Sequence, residues 1–519
     1  MNKKNNSILK GIFALLISQI FVKIIGLAYK LYLTNKDGFG DVGNAIYSSG
    51  FQIYALLLTL SSTGVPNALS KLISEKLAIG DAKGAHRIFK VSFFTFAFLG
   101  MLGCILLFYG AEYISNSLIQ IPEAKYSLMF LAPSIFFVSI TSVFRGYFNG
   151  MRDLSITAKS QTIEQILKTV FTIGFVEIIS RIIYNDVVIK ASVANLATTI
   201  ATIFSFIYVY ICYLSKMKVI KNMLKTSVGV NKVRIKDNFK NILNVAIPIS
   251  LSSLMSSFNK NIDSFTIVRV LKNIVTEEQA KIQYGILSGK VDILTLLPLS
   301  LNIPFITALV PEIAKANVKG NSKQVQEKSV FFILISIVIG MPTTFGMFFY
   351  SEQVLNLLFP NASSGVELLK LSSFTILFSL IVQTFNGILQ GIGKEKVPMI
   401  SFTVGMIVKF ICNIVLLKYL GIQGAVIGNL LCNIVVCIID YYELKKSIRL
   451  NLNIKVEIFK IIILTFIMII ISKMVYYNLI SIISLKVATI LSILVALLIY
   501  LVGLFVFKIM PKNIMIFKK

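Results

Sequence analysis

The stretch Phe144-Arg-Gly-Tyr-Phe-Asn-Gly150 returns about 241 residues later as Phe385-Asn-Gly-Ile-Leu-Gln-Gly391. Phe, Gly, a side-chain amide and a second Gly recur at the same spacing in both copies. The same offset carries Lys168 onto Lys409, and each lysine lies inside an apolar segment. A self-match at this period predicts a chain built from two similar halves. In membrane proteins, that arrangement is typical of transporters with a site between the halves.

The amino-acid composition is that of a protein embedded in a membrane. The 519 residues are 56% hydrophobic, with a mean hydropathy of +0.82, whereas soluble domains are about 45–50% apolar. Several apolar runs exceed about 18 residues, which is enough to cross a bilayer as an α-helix. We therefore predict an all-α, polytopic membrane protein with about 14 transmembrane helices.

The repeat divides the predicted helices into two sets of six, followed by two extra helices. Because six is an even number, both sets enter the membrane from the same side, as parallel repeats that form two lobes. The predicted domains are the N-lobe (1–215), a basic cytoplasmic linker (216–240), the C-lobe (241–450), and the two extra helices with a basic tail (451–519). The fifth helix, near 156–180, is the weakest as a hydrophobic span because it carries Glu164, Lys168 and Glu177.

The net charge of +28 lies mostly in the segments between the predicted helices. Lys and Arg favour one set of these segments by about three to one, which predicts cytoplasmic N- and C-termini by the positive-inside rule. The loop Lys216–Lys240 is the most basic. We interpret it as cytoplasmic and attracted to anionic membrane lipid. In a soluble protein such charge would indicate nucleic acid, but here topology explains it and no nucleic-acid partner is predicted.

The reactive side chains do not form a catalytic or metal-binding pattern. The five cysteines lie in apolar runs without metal-ligand spacing, and the single histidine, His86, stands in a charged segment. A His-based metal site or a catalytic triad does not fit this sequence, and no P-loop motif is present. We predict a protein that is not an enzyme and uses no cofactor or resident metal. An ion gradient or the membrane potential is then the expected energy source.

Charged side chains at predicted bilayer depth are the candidate substrate-binding residues. A charge there costs several kcal/mol unless it is paired or hydrated. The candidates are Lys23, Lys30, Glu164, Lys168, Lys260, Asp263, Lys290, Asp292 and Lys409. Six cations face three anions, so local pairing cannot neutralise the set. Lys23 and Lys30 are seven residues apart and share one face of the first helix, although Lys30 could instead extend to the outer interface.

Spacing leaves the roles of several candidates open. Glu164 and Lys168 stand at i and i+4, which suits a buried pair within one helix, or Lys168 could contact substrate instead. Lys260 and Asp263, at i and i+3, carry the same ambiguity. Lys409 has no acidic residue within one helical turn in the sequence, which indicates contact with another helix, water or a ligand.

Six motifs, spread over nearly the whole chain, resemble one family of transporters. They are Lys23-Ile-Ile-Gly-Leu-Ala-Tyr-Lys30, Gly64-Val-Pro-Asn-Ala-Leu-Ser-Lys-Leu-Ile-Ser-Glu75, Arg145-Gly-Tyr-Phe-Asn-Gly150, Gln161-Thr-Ile-Glu-Gln165, Leu389-Gln-Gly-Ile-Gly-Lys394 and Gly421-Ile-Gln-Gly-Ala-Val-Ile-Gly428. In these motifs the chain resembles the polysaccharide-export branch of the multidrug/oligosaccharidyl-lipid/polysaccharide (MOP) exporter superfamily. Within that branch it is similar to the group of stage V sporulation protein B and the Gram-positive lipid II flippases.

The resemblance implies an architecture, a substrate and a location. It implies two six-helix lobes that work by alternating access, with an apolar groove for a polyprenyl tail on the two extra helices. The implied substrate is an undecaprenyl-diphosphate-linked sugar such as lipid II, carried from the inner to the outer leaflet. The basic residues of the family's first and eighth helices correspond here to Lys23, Lys30 and Lys290. The implied location is the cytoplasmic membrane of a spore-forming Gram-positive bacterium, with a role in cell-wall or spore-cortex peptidoglycan synthesis.

Three functions are compatible with a chain of this kind, and the first is favoured. A flippase needs a cavity with excess positive charge, because a diphosphate headgroup cannot lose its water without a replacement. A cation-coupled multidrug antiporter of the same superfamily is the alternative, and it would use Glu164, Asp263 and Asp292, but the lysine-rich interior argues against it. A scaffold for wall-synthesis enzymes would give Lys409, in the middle of a predicted span, no purpose.

Overall fold

The computed structural model describes residues 21–59, 65–151, 153–183, 186–227, 258–448 and 454–507, with single residues at 254 and 509. Their regular structure is entirely helical, which confirms the predicted all-α class. The helices are α1 (21–35), α2 (Gly40–Thr59), α3 (Val65–Ala78), α4 (Ala82–Tyr113), α5 (Ala124–Gly150), α6 (Leu154–Ile182), α7 (Val187–Ser215), α8 (Met217–Lys225), α9 (258–271), α10 (Glu277–Ile286), α11 (Asp292–Val318), α12 (Ser322–Phe349), α13 (Ser351–Leu358), α14 (Val366–Gly391), α15 (Lys396–Leu420), α16 (Gln423–Ile448), α17 (Lys455–Ile480) and α18 (Leu485–Val506). Two π-helical turns, Ile114–Ile119 and Leu287–Val291, continue α4 and join α10 to α11.

Ten described helical segments are long and apolar enough to cross a membrane, so the chain is a polytopic membrane protein. The first and seventh predicted spans, 10–33 and 242–266, lie partly outside the described residues, which contain α1 and α9 from them. The second and fifth predicted spans correspond to α2 and α6. Helix α6 is less apolar than the ten candidate membrane-spanning segments, because it carries charged residues along its length.

The described helices pack as two compact units, Met1–Gly285 and Ile286–Lys519. In the first unit, α5 is central and packs against α2, α3, α4 and α7. Its repeated motif lies in the contact with α3, where a Cβ added at Gly150 would stand 2.7 Å from Ile73 Cγ2. Only glycine allows the two helices to approach this closely.

The second unit uses its copy of the motif in the same way. Helix α14 packs against α11, α12 and α16, and a Cβ added at Gly391 would stand 2.7 Å from Ile313 Cβ. The C-terminal helices α17 and α18 share the apolar core of this unit. Tyr500 on α18 donates a hydrogen bond to the carbonyl of Val338 at 2.8 Å, which fixes the pair against α12.

Residues 258–285 pack with the first unit. Ser264 on α9 lies 2.5 Å from Gln52 Oε1 and 2.8 Å from the Tyr284 hydroxyl. Lys281 on α10 forms ion pairs with Glu123 at 2.6 Å and Glu277 at 2.8 Å. Each predicted lobe is defined as a set of helices that would move as one body during transport. A single conformation does not test such motion, so the boundaries at 215, 241 and 450 stay a prediction. Most of the predicted linker lies outside the described residues.

Candidate functional site

Lys30, with a buried ammonium group, and Lys168, a buried residue, share one group of aromatic rings in the first unit. Lys30 Nζ lies 3.8 Å from the ring centre of Tyr47. Lys168 Nζ lies 4.1 Å from the ring centre of Phe51 and 5.2 Å from that of Tyr29. We call these five residues the lysine–aromatic cluster. The rings are themselves connected, because Tyr47 stacks on Phe51 at 5.7 Å and the hydroxyls of Tyr29 and Tyr47 are 3.2 Å apart.

Helices α1 and α6 bring the two lysines together. A Cβ added at Gly26 on α1 would stand 3.5 Å from Gln165 Nε2 on α6, so α1 lies close to α6 at this level. One turn further along each helix stand Lys30 and Lys168. Beyond them, Tyr32 donates to Glu177 at 2.8 Å, which ties the two helices at their far ends. Helix α2 supplies Tyr47 and Phe51, so three helices build the cluster.

The cluster holds two lysines and no acidic side chain. Within the described part of the chain, Lys30 Nζ is buried and has no hydrogen-bond partner. Lys168 is only 7% exposed. Ring faces attract ammonium groups by about 0.5–2 kcal/mol, but they accept none of the strong hydrogen bonds that three N–H donors can form. An anion that offers several oxygen atoms would supply the acceptors that the ammonium of Lys30 lacks among the described residues.

Glu164 does not neutralise Lys168, although their spacing allows it. Glu164 instead pairs with Arg145 of α5 at 2.8 Å. Arg145 also donates to Ser160 Oγ at 2.7 Å and to Ser205 Oγ at 3.0 Å, and so connects α5, α6 and α7. The buried intrahelical pair, one of the two interpretations of the spacing, is therefore not formed. Sequence reasoning missed Arg145, whose signal was a charge within the predicted fourth span.

The remaining candidates of the first unit differ in their exposure. Lys23 is exposed near the start of the described part of α1. Lys260 is also exposed, at the beginning of α9, whereas Asp263 on the next turn is buried.

Lys290 of the second unit lies in the π-helical turn Leu287–Val291 and is fully buried. Its ammonium donates to the Ala362 carbonyl at 2.7 Å and to Ser364 Oγ at 2.8 Å, so it holds the loop before α14. Asp292 follows at the first residue of α11 and is half-buried. Single π-helical turns are often found at functional sites.

Lys409 is 1% exposed and lies where α15 meets α16. Helix α16 comes close at Gly428, where an added Cβ would stand 2.7 Å from Asn413 Oδ1 and 3.6 Å from the Lys409 carbonyl oxygen. Both Lys409 and Asn413 lie on one face of α15, four residues apart. No three His, Cys, Asp or Glu side chains of the described residues come together as a metal site.

Comparison with protein families gives two matches along the chain. A profile of the polysaccharide biosynthesis protein family matches residues 8–317. A profile of the MatE family matches residues 284–415. The first match covers more than half of the sequence. It includes α1 and α6, the helices that carry Lys30 and Lys168.

Individual proteins of similar sequence and structure agree with these profiles. The chain is 25% identical over 471 residues to lipid II flippase MurJ of Bacillus subtilis (strain 168), covering 87% of this chain and 85% of that protein. It is 22% identical over 454 residues to stage V sporulation protein B of the same organism, covering 86% and 85%. A solved structure of lipid II flippase MurJ in an inward closed conformation has a TM-score of 0.71 at 18% identity, covering 95% of this chain and 98% of that one.

Proposed function

The chain belongs to the polysaccharide biosynthesis protein family, within the MOP superfamily of membrane transporters, and we propose that it is a flippase for an undecaprenyl-diphosphate-linked sugar. The substrate class is lipid II or a related peptidoglycan or polysaccharide precursor, moved from the inner to the outer leaflet by alternating access. The likeness to MurJ and stage V sporulation protein B supports this class. The proposed role is in cell-wall or spore-cortex synthesis at the bacterial cytoplasmic membrane, by transport rather than catalysis.

The buried, unsatisfied ammonium of Lys30 is the observation that carries the proposal. Lys30 and Lys168 lie on connected rings, so their positive charges repel each other. A diphosphate would relieve that repulsion and supply acceptors to both ammonium groups. Because lysine is a flexible point charge, it can follow the headgroup as the surroundings change, without the fixed geometry of an arginine fork.

An antiporter for organic cations is supported less well. Such a protein needs an available carboxylate in its site, and Glu164 is already paired with Arg145. A cation entering the lysine–aromatic cluster would meet two like charges. The MatE profile match covers part of the second unit. A fold shared across the superfamily explains this match as well as an antiporter function does.

The other predicted site residues and partners belong to the proposal as expectations. Lys290 and Lys409 are buried cations of the second unit that we assign to the same substrate, at later stages of its passage. Cytoplasmic termini follow from the positive-inside rule. The basic segment that begins with α8 is proposed to contact anionic lipid, since Lys218, Lys221 and Lys225 are exposed on that helix.

Binding of purified lipid II to the full-length protein in detergent tests the proposal. We expect Lys30→Met and Lys168→Met each to weaken binding by roughly ten- to a hundredfold, since a charge-assisted contact contributes about 1.5–3 kcal/mol. Their melting temperatures should stay equal or rise, because each removes a buried charge. Lys473→Met is the matched control. This lysine also lies over a tyrosine ring, 4.7 Å from Tyr350, but in the second unit.

The proposal is wrong if Lys30→Met and Lys168→Met are stably folded and bind lipid II as tightly as the wild type. Tight binding of an organic cation, weakened by Glu164→Gln and indifferent to both lysines, would favour the antiporter instead. Retention of binding in Lys30→Arg would support a role for charge rather than shape.

A further inference from the structure

In the second unit, one carboxyl group is buried without a hydrogen-bond partner among the described residues. Asp440 on α16 is 0% exposed. Neither of its side-chain oxygens has a hydrogen-bond partner among the described residues. An ionised carboxylate in such a place costs several kcal/mol, because water is lost and no cation or donor replaces it. The conformation described here therefore favours the neutral carboxylic acid.

The groups that face Asp440 offer little to an anion. From α15, Ser401 faces the carboxyl, but its hydroxyl donates to the Pro398 carbonyl at 3.1 Å. On its own helix, the Cys437 thiol lies one turn earlier. Glu443 lies nearly one turn later and is already paired with Lys394.

Helices α14 and α12 place an apolar core next to Asp440 on α16. Helix α14 places Phe385, Ile388 and Leu389 in the cluster that buries Leu444, one turn after Asp440 on α16. Helix α12 adds Ile333 to the same cluster. Asp440 thus lies beside the dry core of the second unit.

The interface between α15 and α16, which we call the α15–α16 seam, is closely packed next to Asp440. Along α15, buried Ser401, Gly405 and Lys409 follow one another at four-residue spacing on one face. At Gly405, an added Cβ would stand 2.7 Å from Val436 Cγ2 and 3.0 Å from Cys432 Sγ. Water therefore has no room to pass along the seam at this level, and an ionised Asp440 would need the seam to open at its own end.

We propose that Asp440 is the proton-binding site of the transport cycle, holding one proton while the α15–α16 seam is closed and releasing it when the seam opens to water. A bound proton and the closed seam then stabilise each other, which is the reciprocal coupling that an ion-driven transporter needs. A metal cation fits the site less well, because hard cations take about six oxygen ligands, and the described residues bring no three His, Cys, Asp or Glu side chains together. The assignment does not depend on which lipid-linked sugar is carried.

Infrared spectroscopy of the purified full-length protein tests the proton directly, without any substrate. The C=O stretch of a protonated carboxylic acid should be present near neutral pH, shift in deuterated water, and disappear in Asp440→Asn. Glu443→Gln is the matched control on the same helix and should keep the band. Asp440→Leu serves as a second variant if the asparagine protein does not fold. Persistence of the band in either folded variant would overturn the assignment.

Transport in proteoliposomes with an imposed pH gradient tests the coupling. The gradient should stimulate lipid II translocation by the wild type and Glu443→Gln, and the stimulation should be lost in Asp440→Asn. Undiminished stimulation in Asp440→Asn would refute the coupling role. A protein that shows the infrared band but moves no lipid II would leave the proton site in place and count against the proposed substrate, so the two failures are distinguishable.

Discussion

The two copies of the repeat keep their packing and change their chemistry. Gly150 meets Ile73 in the first unit and Gly391 meets Ile313 in the second, with an added Cβ 2.7 Å from the isoleucine in both. The contact between two helix backbones is therefore the part of the motif that both units need. Each unit needs it because a central helix must lie close to its neighbour before the remaining helices can pack around it.

An ion pair at the end of the motif is also kept, with its sign reversed. In the first unit, Asp153 after α5 pairs with Lys216 at the end of α7. In the second unit, Lys394 after α14 pairs with Glu443 of α16. Asp153 and Lys394 are separated by the repeat offset. The attraction between loop and helix is retained whichever partner carries the positive charge.

The polar groups inside the units differ most. Arg145 of the first copy pairs with Glu164. Asn386 stands in its place in the second copy, and its buried side-chain oxygen has no hydrogen-bond partner within the described part of the chain. Lys168 lies on aromatic rings, while its counterpart Lys409 lies in the α15–α16 seam. The comparison teaches that the repeat fixes the scaffold and that each unit has acquired its own interior charges.

Removing Arg145 should have the largest effect on stability. Arg145→Met leaves Glu164 without its cation, and breaking a buried pair in this way costs about 3–5 kcal/mol. We expect the low end, because Glu164 keeps 24% of its side chain exposed. Melting curves in detergent measure the loss. Arg145→Met with Glu164→Gln should recover more than half of it, because no unpaired charge remains.

Asn386→Met is the control in the second copy. It removes a buried amide oxygen for which the described residues offer no partner, so its melting temperature should change little. Equal losses in Arg145→Met and Asn386→Met would show that the position matters for shape in both units, and the contrast drawn between their interiors would be wrong.

Sequence reasoning predicted the repeat, the helical class and the burial of Lys168, Lys290 and Lys409, because each depends on composition or on spacing along one helix. It did not predict that Glu164 would form its ion pair with Arg145. An i, i+4 spacing shows which groups can meet within a helix, but not whether a neighbouring helix offers an arginine that two serines also hold in place. Asp440 was missed for a related reason. Its position two turns before the helix end suits an interfacial charge, and only packing against α15 shows that it is buried.

A side chain at the repeated glycine should have an intermediate effect, similar in both copies. Gly150→Val and Gly391→Val each force an isoleucine and its helix outward, and overpacking of this kind costs about 1–3 kcal/mol. The yield of monodisperse protein and its melting temperature report the loss. Gly174→Ala is the control, because a Cβ there would have no atom of another described element within 4 Å. If one of the two valine variants is neutral, the common scaffold inferred for both units does not hold.

The smallest expected effect concerns the ion pair with reversed sign. Burial opposes the ionised form of Asp153, but hydrogen bonds from Lys216 and Ser155 outweigh it and lower the pKa of this carboxyl. A lowered folded-state pKa means that the pair stabilises the protein above the unfolded-state pKa of about 3.9, and that this contribution is lost as pH falls through the folded-state value. Because both side chains are partly exposed, solvent screening limits the contribution to about 0.2–1 kcal/mol.

Asp153→Asn should therefore melt slightly below the wild type at pH 7, and the difference should vanish once the pH is well below 4. Lys394→Met should show a similar loss at pH 7 if the second unit uses its pair in the same way. A difference for Asp153→Asn that persisted unchanged at acid pH would assign the effect to local packing instead of charge, and the parallel between the two ion pairs would fail.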